Sequence, residues 1–252
     1  MIDAGISCRE TEKRMRRLGL SIKKVKAVFI THEHSDHIAG IAKLVKRFKL
    51  PVYVTPRTRQ LGGLHIEDEL AFQFRAYEPV QIGGLTVTGF PKVHDACDPH
   101  SFIVSDSAVT VGVFTDIGLA CNHVIKHFKQ CHAAFLESNY DVEMLDNGSY
   151  PMFLKNRIRG GNGHLSNVQA FQLFTNHKPS FMSHLFLSHL SKKNNDPEIV
   201  EQLFNSRAGK TKIIIASRNE ETDVYHIRNT THYGHVVKVK ERSQLQLTLF
   251  GA

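Results

Sequence analysis

Apolar runs and segments of helical spacing alternate along the whole chain. Val-, Ile- and Phe-rich runs bounded by Gly, Pro, Asp or Ser predict strands at 27–31, 51–54, 84–90, 101–105, 109–115, 133–138, 182–188 and 211–216. Apolar residues recurring three and four apart predict helices at 38–48, 118–129, 150–158, 166–177 and 196–206. Ile38, Ile41, Leu44, Val45 and Phe48 mark one face of the first. Ser166 stands as an N-cap ahead of the 166–177 helix, and Pro179 follows its end. No linker, short repeat or low-complexity tract interrupts the pattern. It reads as one α/β (α+β) domain over 1–222, with an ill-defined tail at 223–252.

A length of 252 residues with 41% hydrophobic content is enough to bury a full core. No apolar run approaches the roughly 20 residues of a membrane span, and MIDAGISCRE does not read as a signal peptide. The four cysteines, Cys8, Cys97, Cys121 and Cys131, form no C-x-x-C pair, so reduced thiols in a cytoplasmic protein are expected. The formal charge of +8 suits a polyanionic partner, nucleic acid being the commonest. Lys13, Arg14, Arg16, Arg17, Lys23, Lys24 and Lys26 crowd ahead of residue 27 and read equally well as a solvated helix face.

Chemistry enters with THEHSDH at 31–37, directly after the apolar run 27–30. On a chain leaving a strand, residues two apart point the same way, so His32 and His34 can hold one ion. Asp36 and His37, on the following turn, can hold a second. Imidazole with carboxylate suits zinc, and also manganese or iron. Glu33 falls on the opposite side and is expected to support the turn. Further ligands are sought where later strands end: His94 in KVHDACD, Asp116 in VFTDIG and His189 in FLSHLSKKNND. His184 sits inside its strand, about 16 Å from that edge at ~3.3 Å per residue, and reads as a sheet histidine. His100, His123, His127 and His132 read as surface residues, and Cys97 as a small buried thiol.

THEHSDH, His94, TDIG and the terminal HLS together resemble the metallo-β-lactamase fold. LESNYD (136–141), GHLSN (163–167) and LSHLSKKNND (187–196) narrow the likeness to the YycJ/WalJ family, related to ribonuclease Z and ribonuclease J. It runs from Met1 to about Ser217. The resemblance implies an αββα sandwich with the site at one edge between the sheets. It implies two divalent ions, Zn2+ or Mn2+: His32, His34 and His94 on the first, Asp36, His37 and His189 on the second, Asp116 bridging. Members usually open with a Gly- and Ser-rich hairpin before IDAG; here one or two opening strands are absent. Either the start is assigned late or the first sheet is shortened, with Asp3 on a frayed terminus and the sheet edge open. Tyr140 stands in ESNYD where histidine is common.

The resemblance also implies phosphodiester hydrolysis by a bridging hydroxide, with Asp36 in the catalytic set. His164 would protonate the leaving oxygen and Glu137 would orient it, a sound acid–base pair. Arg157-Ile158-Arg159-Gly160-Gly161, just upstream, reads as a phosphate clamp or an ordinary basic loop. The family points to a 5′-to-3′ DNA exonuclease of repair or replication. The alternatives are a ribonuclease Z-like RNA-processing enzyme and a small-molecule (thio)ester hydrolase, since the fold hosts several chemistries. At the tail, Gln246, Leu247, Leu249 and Phe250 resemble the pentapeptide with which bacterial proteins dock on the DNA sliding clamp. The same alternation also reads as a strand.

Overall fold

Ala133–Glu137 is buried at every position, and His184–Ser188 at all but its first, as strands covered on both faces require. The computed structural model describes residues 1–229 and the backbone of Gln246–Leu247. In chain order the first half comprises α1 (Cys8–Arg17), β1 (Val28–Phe29), α2 (Ser35–Ile38), α3 (Ile41–Phe48), β2 (Val52–Tyr53), α4 (Pro56–Leu61) and β3 (Ala71–Phe72), then an antiparallel meander of β4 (Pro79–Ile82), β5 (Leu85–Pro91), β6 (His100–Ser105) and β7 (Thr110–Phe114). There follow α5 (Asn122–Phe128), β8 (Ala133–Glu137), α6 (Val142–Asn147), α7 (Met152–Arg159), α8 (Asn167–His177), β9 (His184–Ser188), α9 (Pro197–Asn205) and β10 (Lys212–Ile215). Finally β11 (Tyr225–His226) pairs antiparallel with β12 (Gln246–Leu247).

The strands form a three-stranded parallel sheet, β1-β2-β3, and a seven-stranded mixed sheet in the order β10-β9-β8-β7-β6-β5-β4. Alternating side chains of β8 and β9 separate two cores. Ala133, Phe135 and Phe186 face the other sheet, where Phe29 meets Phe102 edge-on at 5.5 Å. Ala134, Leu136, Leu185 and Leu187 face Phe128, Phe174 and Phe204 of α5, α8 and α9. On the far side, Val28 and Ile30 pack against Met15, Ile41 and Leu44 of α1 and α3. The layers are therefore helix, sheet, sheet, helix: the αββα sandwich.

Each expected strand and helix occurs, with one interruption. The 38–48 helix breaks at Ala39-Gly40 because residues 4–6 cross there: Gly40 N donates to Ala4 O at 2.8 Å. A Cβ on Gly40 would stand 2.0 Å from Ile6 O, and one on Gly5 only 1.5 Å from Asp36 O, so both positions need glycine. The terminus is consequently not frayed. Ile2 bridges Phe29 along the outer side of β1, and Asp3 N donates to Phe29 O at 2.8 Å. The sheets still part near this edge, leaving an apolar cavity of about 330 Å3 lined by Met1, Ile2, Ala27, Val87, Val104 and Val111 among others.

The basic cluster before residue 27 is only partly a solvated face. Arg14 is buried and donates to Asn219 O, while Arg17 pairs with Glu221, tying α1 to the segment after β10. Contacts of the sandwich also continue past residue 222, since Tyr225 and buried Ile227 join the core between the sheets.

Candidate metal centre

β5, β7, β8 and β9 run in one direction, so residues following them collect at one edge of the seven-stranded sheet. His94, Asp116, Glu137 and His189 stand there, and the 31–37 turn leaving β1 meets them. Asp116 and His189 turn sharply to do so, with φ of 55° and 58°, a left-handed conformation uncommon outside glycine.

Each imidazole but one is held by one ring nitrogen and presents the other. Thr31 Oγ1 lies 2.8 Å from His32 Nδ1, and His94 Nδ1 lies 3.0 Å from Gly163 O. His37 Nδ1 contacts Asp3 Oδ2 at 2.7 Å and His189 Nδ1 contacts Glu137 Oε1 at 2.9 Å. Asp3 itself accepts from Thr31 N and Thr31 Oγ1, both at 2.8 Å, with φ 54°. Such partners fix tautomer and ring orientation, as around metal-binding histidines. For His34 no such partner is recorded.

The presented atoms converge. His34 Nδ1 lies 3.1 Å from His32 Nε2 and 3.4 Å from His94 Nε2. Asp36 Oδ2 lies 3.7 Å from His37 Nε2 and 3.5 Å from His189 Nε2. Between these trios, Asp116 places Oδ1 3.7 Å from His94 Nε2 and 3.4 Å from His189 Nε2, and Oδ2 3.1 Å from His37 Nε2. Donors about 2.0–2.1 Å from a tetrahedral ion stand about 3.4 Å apart, so the spacing fits divalent cations. His37 Nε2, His189 Nε2 and Asp116 Oδ2 are buried without a hydrogen-bond partner, which water-excluded polar atoms rarely tolerate. The donor set fits metal.

Charge agrees. Burial, then Lys92, hold His32 and His94 neutral, His94 falling to about 4. For His37, burial would lower the value, but Asp116 and Asp3 outweigh it and raise it to about 10. His189 is raised for like reasons, by Asp116, Asp36 and Glu137 against burial.

Beside the ligand groups stands a second pair. Glu137, fully buried, accepts from Ile117 N at 2.8 Å and Leu165 N at 3.2 Å through Oε2. Its Oε1 lies 2.7 Å from His164 Nδ1 as well as 2.9 Å from His189 Nδ1, so one carboxylate orients both rings. His164 is half-buried and lies 3.9 Å from Asp116 Oδ1. It precedes the capping box of α8, in which Ser166 and Gln169 reciprocate, so it is not itself the cap.

Other expectations fare variously. His184 begins β9, belongs to no candidate ligand group and contacts Ser183, Phe186 and Tyr225. His100 and His127 are buried rather than on the surface, His100 against Phe74 and His127 stacked on Phe90; neither joins a ligand group. His123 is exposed and His132 half-buried. Cys97 is half-buried and donates through both N (2.8 Å) and Sγ (3.0 Å) to Glu33, tying the His94 loop to the 31–37 turn. Tyr140 is buried and bridges to Ser166. Arg157 pairs with Asp95 at 2.5 Å, next to His94, whereas Arg159 pairs with Asp146 of α6 at 2.9 Å. Gln246–Phe250 lies outside the described residues apart from the β12 backbone.

Sequence reasoning missed Lys92. Its side chain is fully buried, donates to Thr115 O at 2.7 Å and stands 4.0 Å from Asp116 Oδ2. Burial pulls its pKa down, with Asp116 opposing. A lone lysine after a strand ordinarily signals a surface position, so nothing in the pattern marked it.

Known proteins resemble this chain in sequence and fold. Residues 1–189 match the Beta-lactamase superfamily domain. The chain is 33% identical to the exodeoxyribonuclease YycJ of Bacillus anthracis, covering 79% of this chain and 76% of that protein. It is 28% identical to the exodeoxyribonuclease WalJ of Streptococcus pneumoniae, with the same coverage. Among solved structures, the metallo-β-lactamase fold protein YhfI of Bacillus subtilis superposes with a TM-score of 0.64 at 18% identity, covering 86% of this chain and 83% of that one. The chain belongs to the YycJ/WalJ family of metallo-β-lactamase-fold hydrolases, which are metal-dependent enzymes.

Proposed function

We propose that this protein is a dinuclear-metal phosphodiesterase acting on nucleic acid, and specifically a 5′-to-3′ DNA exonuclease of repair or replication. The observation that carries the reading is the Glu137–His164 pair beside the ligand groups: a metal scaffold needs no such ring, whereas ester cleavage needs a proton donor. The exodeoxyribonuclease relatives support DNA as substrate, and the +8 charge suits it.

In this reading His32, His34 and His94 would hold one ion and Asp36, His37 and His189 the other, with Asp116 a donor available to both. Two bound divalent ions, zinc or manganese, would supply Lewis acidity and a water nucleophile at neutral pH. The protein's own residues do the rest. Glu137 fixes His164 through Nδ1, so Nε2 meets the leaving oxygen with a proton. Arg157 grips phosphate beside the site; Arg159, paired with Asp146, contributes charge at longer range. The reading places the protein in the cytoplasm; no helix among the described residues is long and apolar enough to cross a membrane.

The decisive experiment supplies metal-reconstituted protein with end-labelled single- and double-stranded DNA and RNA, using His34→Ala as control. Stepwise loss from 5′ ends of DNA is expected. Preference for structured RNA would favour a ribonuclease Z-like enzyme, and inertness on all four would refute the proposal.

The tail adds a partner. Gln246, Leu247, Leu249 and Phe250 are proposed to dock on the bacterial sliding clamp, delivering the enzyme to replication sites. Because the backbone of Gln246–Leu247 pairs with β11, docking has to release that pairing. Deleting residues 246–250 should abolish clamp binding in a pull-down while sparing hydrolysis; undiminished binding sinks the idea.

A further inference from the structure

Phe153 is the most exposed large apolar side chain among the described residues, at 74%, and its neighbour Met152 follows at 64%. They open α7, whose other face is turned inward: Lys155 is buried and donates to Asp146 O at 2.7 Å, while Leu154 and Ile158 are half-buried. Other large apolar side chains are exposed singly, but these two are adjacent and form a continuous apolar patch, as a contact surface does.

Both ends of α7 are tied to the metal centre. At its C-terminal end, His164 N donates to Ile158 O at 2.9 Å, and Gly163 O meets His94 Nδ1. Arg157, one turn after Phe153 and on the same face, pairs with Asp95, whose Oδ1 lies 3.4 Å from His94 Nε2. At the N-terminal end, Lys193 from the loop following His189 lies over the Tyr150 ring, its Nζ 5.5 Å from the centroid. Asp141 N donates to Asn194 O in that same loop. An exposed aromatic ring thus stands on a helix flanked by two basic side chains, Arg157 near His94 and Lys193 in the loop after His189, and Phe153 lies about 6 Å before Arg157 along the helix axis.

We infer that Phe153 is a base-stacking platform for an unpaired nucleotide one or more steps from the scissile phosphodiester, with Arg157 and Lys193 bearing on the adjoining phosphates. The inference rests on the nucleic-acid reading above. Aromatic rings beside a basic track are how single strands are held without sequence preference, because every base offers a π-face. Phe153 is therefore a substrate-positioning residue, and Met152 widens its apolar surface. The alternative occupant, a second copy of this chain, would bring the same basic flanks face to face, and like charges disfavour it.

The chain contains no tryptophan, so Phe153→Trp installs a single fluorophore at the position in question. The metal-loaded enzyme would be assayed on a short 5′-phosphorylated single-stranded oligodeoxynucleotide and on bis(p-nitrophenyl) phosphate, which has no base to stack. Phe153→Ala should raise KM for the oligonucleotide roughly 5- to 100-fold, with activity on the small diester unchanged. Phe153→Trp should restore the KM, and its fluorescence should be quenched by the oligonucleotide. If wild type degrades the oligonucleotide while Phe153→Ala keeps its KM, or the tryptophan does not respond, this inference falls and the nuclease reading stands. Self-association lost in Phe153→Ala without a change in KM overturns it likewise. If wild type cleaves only the small diester, both fall together.

Discussion

Replacing Asp116 with alanine should strip metal and abolish hydrolysis in one step. This carboxylate alone, among the described residues, faces both candidate ligand groups: Oδ1 lies within 3.7 Å of His94 Nε2 and His189 Nε2, and Oδ2 within 3.1 Å of His37 Nε2. It is also the carboxylate nearest the buried Lys92 ammonium, at 4.0 Å. Its removal deletes a shared donor and leaves a cation in the wall, both of which disfavour a second positive charge. Metal catalysis contributes several kcal/mol of charge stabilisation, so turnover of a small phosphodiester should fall about 10^3-fold or more. Metal content by mass spectrometry should fall with it. Asp116→Asn, equal in volume but uncharged, separates lost charge from lost packing. A variant with full metal content and near-normal kcat would show that Asp116 does not bridge.

Glu137→Ala should do damage of another kind. Four donors or rings converge on this buried carboxylate: Ile117 N, Leu165 N, His164 Nδ1 and His189 Nδ1. Breaking such a buried cluster costs on the order of 3–5 kcal/mol, so thermal denaturation should show a clear drop in Tm. Activity should fall further than in His164→Ala. In the proposed mechanism the latter removes only the proton donor, for an expected loss of about 10^2- to 10^4-fold in kcat with metals retained. Glu137→Ala also frees His189 to turn away from the ligand group. In metal-free protein the pH dependence carries a signature. Burial would raise the Glu137 carboxyl, but His164 and His189 outweigh it and hold it at about 2 against an ordinary 4.5. Its stabilising contribution is then complete above 4.5 and lost as pH falls toward 2. Glu137→Gln should flatten that acid limb. Unchanged Tm and kcat in the alanine variant would mean that Glu137 holds nothing in place.

The candidate ligand residues were legible as a group because their spacing is chemical before it is structural. Four lie within the six residues 32–37, and three more are polar residues ending apolar runs, where parallel strands must deliver them to one edge. Burial of His100 and His127 was not legible, because a histidine stacked on Phe90 carries no mark in its neighbours. The second duty of Glu137, holding His189, depends on residues 52 apart and appears only once β8 pairs with β9. α4 and α6 are too short for a periodic signal, although Thr55 ahead of Pro56 and Asp141 ahead of Val142 are sound capping pairs that mark their starts. β3 and β4 lack the continuous burial that betrays a central strand. The break after Ile38 follows from residues 4–6 crossing at Gly40, a long-range contact no local window contains.

Asp3, Asp116 and His189 all hold left-handed backbones. For residues other than glycine each such conformation costs of order 1–3 kcal/mol, a burden sustained by the surrounding hydrogen bonds. The bends that present Asp116 and His189 at the sheet edge thus belong to the fold itself.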